Sequence, residues 1–347
     1  MLVAVAIGIG ALGMALSWHL GRDASLEPET YIRYAIVITL GVYAVVGALI
    51  VTQLVPGVRL RWQVGSPAGG ILFGALVGGG LSAALLTAVS AAAGHLSPDP
   101  RIVTMMSEGD AAHLVVSALI ACACAPLVEE VLFRGLLLES LRNHGSRVAV
   151  LVSGAAFAVW HLNPAALRYY ALMGALLGVL YLKRGLICSI SAHVAFNGVL
   201  TVAALAVVLA PAKVVTGGHV SLRAPGGWST THEGGADLAL TGPSGATLLV
   251  VEVPTVTPPS PDVIVRRINE GLLTQVFPGL QVDVTKTRQV KLPVGAAVEI
   301  DVIAQGHRGT MVFVPLAGES VDMVFLSGGS VKAQTDFPRM LASLRVS

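Results

Sequence analysis

Two adjacent carboxylates and an arginine stand inside an apolar run, Ala125-Pro126-Leu127-Val128-Glu129-Glu130-Val131-Leu132-Phe133-Arg134-Gly135. Later apolar segments hold Phe157 and His161, then His193 and Asn197, each pair four residues apart. A charged group at bilayer depth is costly, so it faces a protein interior or a water-filled cavity. Neighbours on a helix point about 100° apart. Arg134 lies one turn after Glu130 and can pair with it. Glu129 is then free to act as a general base that takes a proton from water. His161 can hold the same water, with Phe157 as a wall one turn before it. His193 and Asn197 share a helix face, and both offer N–H donors, which an oxyanion hole requires. The set suits hydrolysis of a peptide bond. Glu129, His161 and His193 can alternatively hold zinc with an activated water.

Each motif also has a plainer reading. A Glu-Arg pair can be a structural lock, and a His-Asn pair can be hydrogen-bonding glue between helices. His19, His95 and His113 read as interfacial side chains. Cys122, Cys124 and Cys188 lie in apolar segments and read as small core residues.

The elements that must position these residues follow from composition. Of 347 residues, 54% are hydrophobic and only 12% charged, and the mean hydropathy is +0.77. A soluble domain is about 25% charged. Apolar runs dominate up to about Pro211, and beyond Lys213 the chain turns polar and β-like. This predicts a transmembrane domain over 1–211 and a soluble α+β domain with an antiparallel sheet over 212–347. The net charge of +2 and the lack of a basic run argue against nucleic acid as a partner.

The apolar runs predict an all-α polytopic membrane domain of about seven transmembrane helices. They are Leu2–Leu20, Tyr34–Val55, Gly69–Ala93, Asp110–Leu141, Arg147–Leu162, Leu167–Leu182 and Leu186–Leu209. Gly70, Gly74 and Gly78 form a small-residue stripe of the kind that lets membrane helices approach closely. Arg59, Arg61, Arg142, Arg147, Lys183 and Arg184 fall in alternate loops. This charge bias places the N-terminus in the cytoplasm and the C-terminal domain outside. At 1.5 Å rise per residue, Glu129 lies roughly 20 Å above Arg142, His161 roughly 21 Å above Arg147 and His193 roughly 13 Å above Arg184. The three share one broad layer, so a single site is feasible.

The motifs Glu129-Glu130-x-x-x-Arg134, Phe157-x-x-x-His161 and His193-x-x-x-Asn197, in this order, resemble the signature of the CPBP family of intramembrane endopeptidases. That family includes the type II CAAX-prenyl protease and bacterial Abi-type proteins. The resemblance covers roughly 110–210. It implies peptide-bond cleavage near the membrane, in a membrane-associated protein or peptide. It implies that Glu129 activates the water, His161 orients it, and His193 and Asn197 form the oxyanion hole, with Glu130, Arg134 and Phe157 in support. It also implies an integral protein of a bacterial plasma membrane. The family carries a metalloprotease label, yet no His-Glu-x-x-His helix is present, so no obligatory metal is expected and zinc stays open.

In the C-terminal domain, short strands are expected at Asp237–Leu240 and Thr247–Val253, and a helix at Pro261–Val276. Four strands follow, at Gln281–Lys286, Ala297–Ile303, Thr310–Leu316 and Val321–Leu326, then a helix at Val331–Leu344. The last two strands are continuously apolar, as central strands can be. This order resembles PsbP-like and related bacterial lipoprotein domains, which implies an antiparallel sheet flanked by helices that binds a protein partner or substrate, or rests on the membrane domain. No catalytic constellation is evident there; His219, His232 and His307 read as solvated. Two rivals to a protease remain: a non-catalytic receptor or scaffold, and a proton relay or transporter, which lacks the internal repeat common to that class.

Overall fold

The computed structural model describes residues 28–54, 60–93, 111–161, 166–242, 245–254, 260–271, 282–304, 307–316, 320–327 and 331–347, with isolated positions elsewhere. They cluster into two compact units, one built chiefly from Thr30–Ile102 and Asp110–Ala204, the other from Leu205–Ser347. Most of the expected span Leu2–Leu20 lies outside the described residues, as do His19, His95 and the side chain of His113.

The first unit is helical: α1 (Pro28–Leu54), α2 (Pro67–Ala93), α3 (111–141), α4 (Ser146–Trp160), α5 (Leu167–Arg184) and α6 (Leu186–Val208). Among the described residues, three helices are long and apolar enough to cross a membrane: Pro67–Ala92, Leu114–His144 and Leu186–Val208. The apolar stretches Ile36–Ala48 and Ser146–Trp160 are shorter, and α5 carries Arg168, Lys183 and Arg184 within its 18 residues. The expected count of seven is thus not confirmed among the described residues. Leu72, Leu76, Leu151, Leu172 and Val202 point outward, each at least 63% exposed, so this unit presents large apolar side chains to its surroundings.

Helix α3 is irregular. It runs as α-helix over Ala111–Leu119, widens to π turns at Ile120–Cys124, returns to α over Ala125–Glu130 and widens again at Val131–Leu138. Pro126 explains the first widening. Proline lacks an N–H and its ring crowds the carbonyl four residues back, here that of Cys122. Side chains of other helices serve carbonyls in both wide stretches. Asn197 Nδ2 donates to Ala121 O at 2.8 Å, and Ser153 Oγ donates to Phe133 O at 2.8 Å.

The glycine stripe sets the contact of α2 with α6. A Cβ on Gly74 would overlap the Cys188 carbonyl, and one on Gly78 would overlap the Ala192 carbonyl. Gly154 and Gly174 make a similar seam between α4 and α5, where a Cβ on Gly174 would come 2.8 Å from the Gly154 Cα. Gly185, at φ +88°, turns α5 into α6. The extended segment 60–64 closes the start of α6: Leu186 N–H donates to Arg61 O at 2.9 Å and Ile187 N–H to Trp62 O at 3.0 Å. These bonds satisfy donors that a helix start otherwise leaves unpaired.

The second unit is α+β, with antiparallel pairing throughout. Its strands are β1 (Lys213–Gly217), β2 (Val220–Ala224), β3 (Ser229–Thr231), β4 (Leu238–Thr241), β5 (Thr247–Pro254), β6 (Val282–Leu292), β7 (Gly295–Ala304), β8 (His307–Pro315), β9 (Ser320–Ser327) and β10 (Arg345–Val346). They form a seven-stranded sheet of order β3-β4-β5-β9-β8-β7-β6 and a three-stranded sheet of order β1-β2-β10. Helix α7 (Pro261–Asn269) packs Ile264 and Ile268 with Val298, Ile300, Met311 and Phe313. Helix α8 (Val331–Leu341) packs Phe337 and Met340 with Leu248, Val312 and Val324. Met311 and Val312 thus point to opposite covered faces, which is why β8 reads as continuously apolar. The sequence reading missed β1, β2, β3 and β10, and made β6 too short.

His219 corrects an expectation, for it is not simply solvated. Its Nε2 lies 2.8 Å from Asp322 Oδ1 and its Nδ1 3.7 Å from Glu252 Oε2. Glu252 and Asp322 are directly opposed on β5 and β9, a like-charge pair that is unfavourable alone. His219, in the β1–β2 turn, lies against both. Burial pushes the Asp322 carboxyl above its ordinary range; His219 pulls it back in part, while Asp237 and Glu252 push it up further.

Two outcomes are expected. Gly78→Ala forces α2 from α6 and lowers stability by about 1–3 kcal/mol, the range for overpacking, read by thermal melting in detergent. A carboxyl raised by folding contributes stability below its unfolded pKa that is lost as pH rises through its folded pKa. Asp322→Asn therefore raises the melting temperature of the second unit at about pH 7, and the gain shrinks as pH falls towards about 4.

Candidate active site

Helix α3 carries Glu129, Glu130 and Arg134; the end of α4 carries Phe157, Trp160 and His161; α6 carries His193 and Asn197. Glu129 and His193 are each 3% exposed, and Glu130 and Arg134 are fully buried. Charges at that depth persist only with partners.

Glu130 Oε1 is the junction. Arg134 Nη1 donates to it at 2.8 Å, and His193 Nδ1 lies 3.0 Å from it. Arg134 Nη2 donates to Gly174 O at 2.9 Å, which ties α3 to α5. Its guanidinium sits 4.6 Å from the Phe157 ring centroid, within cation–π range. Phe157 also meets the rings of His161 at 4.6 Å and His193 at 5.6 Å. Its ring thus lies against three polar groups.

The two oxygens of Glu129 differ. Oε1 accepts from Tyr43 Oη–H at 2.7 Å and from Trp160 Nε1–H at 3.1 Å. Oε2 faces His193 Nε2 at 3.9 Å. That separation is too long for a direct hydrogen bond and suits a bridging water. His161 Nδ1 lies 2.8 Å from Phe157 O. A carbonyl accepts, so Nδ1 carries the proton and Nε2 keeps a lone pair, an assignment made from the bond. The His161 ring stacks on Tyr170, with centroids 4.1 Å apart and planes 16° apart. Glu129, His193 and Arg134 are among the charges acting on His161.

The structure thus brings Glu129, Glu130, Arg134, Phe157, His161 and His193 into one buried cluster. Asn197 is bound at Ala121 O, so that donor ties α6 to the wide turn of α3. The sequence reading missed Tyr43, Trp160 and Tyr170. Trp160 carried a signal, since a buried indole N–H requires an acceptor. Tyr43, 86 residues from Glu129, had no motif spacing to mark it.

Zinc was left open for Glu129, His161 and His193. Among the described residues, no three His, Cys, Asp or Glu side chains gather so that they could hold a metal ion. Glu129 Oε1 already takes two donors, and Nδ1 of each histidine already faces an acceptor. In this arrangement they do not make a three-ligand metal centre.

Residues 111–199 match the family described as type II CAAX prenyl endopeptidase Rce1-like. That segment holds every site residue named above except Tyr43. No curated protein matches the chain. Among solved structures, the C-terminal region is similar to cyanobacterial PsbP (CyanoP) from Synechocystis, at 10% identity and a TM-score of 0.31, covering 40% of this chain and 94% of that one. A protein from Bacteroides thetaiotaomicron is similar at 15% identity and a TM-score of 0.26, covering 40% of this chain and 49% of that one. With three helices of spanning length and this family match, the chain reads as an integral membrane protein.

Arg134→Met strands a fully buried carboxylate. A loss of about 3–5 kcal/mol is expected, as for breaking a buried ion pair by removing one partner. Thermal melting or denaturant unfolding in detergent reads it directly.

Proposed function

We propose that the first unit is an intramembrane endopeptidase of the CAAX-protease type, acting on membrane-associated proteins or peptides. The observation that carries this reading is the gap between Glu129 Oε2 and His193 Nε2, set among buried side chains from three helices. In the proposed reaction a water sits in that gap. Glu129 Oε2 takes one of its protons while His161 Nε2 orients it. The water oxygen bonds to the substrate carbonyl carbon. The resulting oxyanion accepts from the second N–H of the Asn197 amide and from Nε2–H of a His193 ring protonated on both nitrogens, whose Nδ1–H is held by Glu130 Oε1. The C–N bond then breaks and the amine leaves with the proton held by Glu129. Glu130 fixes His193 through Nδ1, and Arg134 fixes Glu130.

The reading places the protein in a bacterial plasma membrane, with the N-terminus cytoplasmic. The C-terminal unit is then extracytoplasmic and binds a protein partner or presents substrate. Prenylated substrates are not required.

Glu129→Gln keeps the shape of the side chain and removes the base. Peptide termini in membrane and secreted fractions are compared between cells carrying the native chain and cells carrying Glu129→Gln at matched expression. Specific new termini are expected with the native chain and absent with the variant, a fall of about 10²–10⁴-fold. Identical termini in both, with the variant folded, would overturn the proposal.

A further inference from the structure

Both donors on Glu129 converge on the same oxygen. Tyr43 Oη–H and Trp160 Nε1–H reach Oε1 at 2.7 Å and 3.1 Å. One carboxylate oxygen offers two lone pairs, so Oε1 is filled by these two bonds. Oε2 is the oxygen that looks across the gap at His193 Nε2. A free carboxylate presents two equivalent oxygens, and rotation about its last bond exchanges them. Here the exchange would break two bonds to a charged group at once.

Tyr43 is held where it is by apolar packing. It lies on α1, and Val46, less than one turn further on, is fully buried in a cluster with Leu132, Phe133, Phe157 and Trp160. Phe133 meets the Trp160 indole edge-on at 6.0 Å. Helix α1 lies wholly outside the family-matched segment 111–199.

We infer that Tyr43 and Trp160 are positioning residues that make Glu129 Oε2 the single reacting oxygen, and that α1 is therefore a functional part of the site. The inference rests on the endopeptidase reading. It adds that the chemistry depends on a helix the family segment does not contain.

The test uses the full chain in liposomes of phosphatidylcholine and phosphatidylglycerol, with a mixture of internally quenched fluorogenic peptides. The peptide that the native chain cleaves fastest is then used alone. Tyr43→Phe keeps the ring and removes one donor. Its kcat is expected to fall about ten- to hundredfold, the loss for one hydrogen bond to a charged group. KM should stay within about twofold, with the chain still folded at the assay temperature. Added to Glu129→Gln, Tyr43→Phe should have no further effect. An unchanged kcat, or a change confined to KM, would overturn the inference while leaving the endopeptidase reading intact, provided Glu129→Gln is inactive. Activity in Glu129→Gln would sink that reading itself. The hydrogen bond is also read without any substrate. The Trp160 indole ¹⁵N–¹H resonance, assigned with Trp160→Phe, should move in Glu129→Gln, and a stationary resonance would refute the geometry.

Discussion

One oxygen, Glu130 Oε1, carries the polar interior of the first unit. An arginine from the same helix and a histidine from α6 both bind it, and the arginine goes on to a backbone carbonyl on α5. Each charge is buried and none would be tolerable alone. The cluster is therefore collective. Remove one member and the others become costs. Glu130 is in this sense the structural acid of the pair, which leaves Glu129 free of an ion pair with Arg134. Two neighbouring residues of one type are divided by their surroundings: Glu130 is held in an ion pair with Arg134, and Glu129 is held by Tyr43 and Trp160.

The first half of that division was legible in the sequence, because a four-residue spacing already pairs Glu130 with Arg134. The meeting of three separate helices was legible as well, from similar depths and from motif order. What was not legible came from groups without a spacing rule. Tyr43 is one tyrosine in an apolar helix, and nothing local says which carboxylate it will meet. Asn197 was read as an oxyanion donor, and that reading did not include the bond one of its N–H groups makes to Ala121 O. The need for that bond arises from the wide turn before Pro126, which periodicity alone does not reveal. In the second unit, β8 and β9 were read as central strands from their unbroken apolar runs. The short strand β10 escaped because its partner, β2, lies far along the chain. His219 escaped for the same reason, since Asp322 is 103 residues away.

The two units solve the burial of charge in different ways. In the helical unit, Arg134 neutralises Glu130 directly, although Glu130 Oε2 and Arg134 Nε are buried without a partner. In the sheet unit, register forces Glu252 and Asp322 together, and a turn residue mitigates the conflict while Asp322 Oδ2 stays buried without a partner. The first arrangement is fixed by covalent spacing along a helix. The second depends on strand register, so it changes with any slip of β5 against β9.

Gly78 touches the backbone beside His193. Its missing side chain lets α6 come close enough for His193 to reach Glu130 and to stop 3.9 Å short of Glu129. The width of that gap is thus machined by residues that have no chemistry of their own. A library that varies only acids, bases and aromatics would never find this control. Small changes of bulk at Gly74 and Gly78 would act as a shim, widening the gap while every polar side chain is kept.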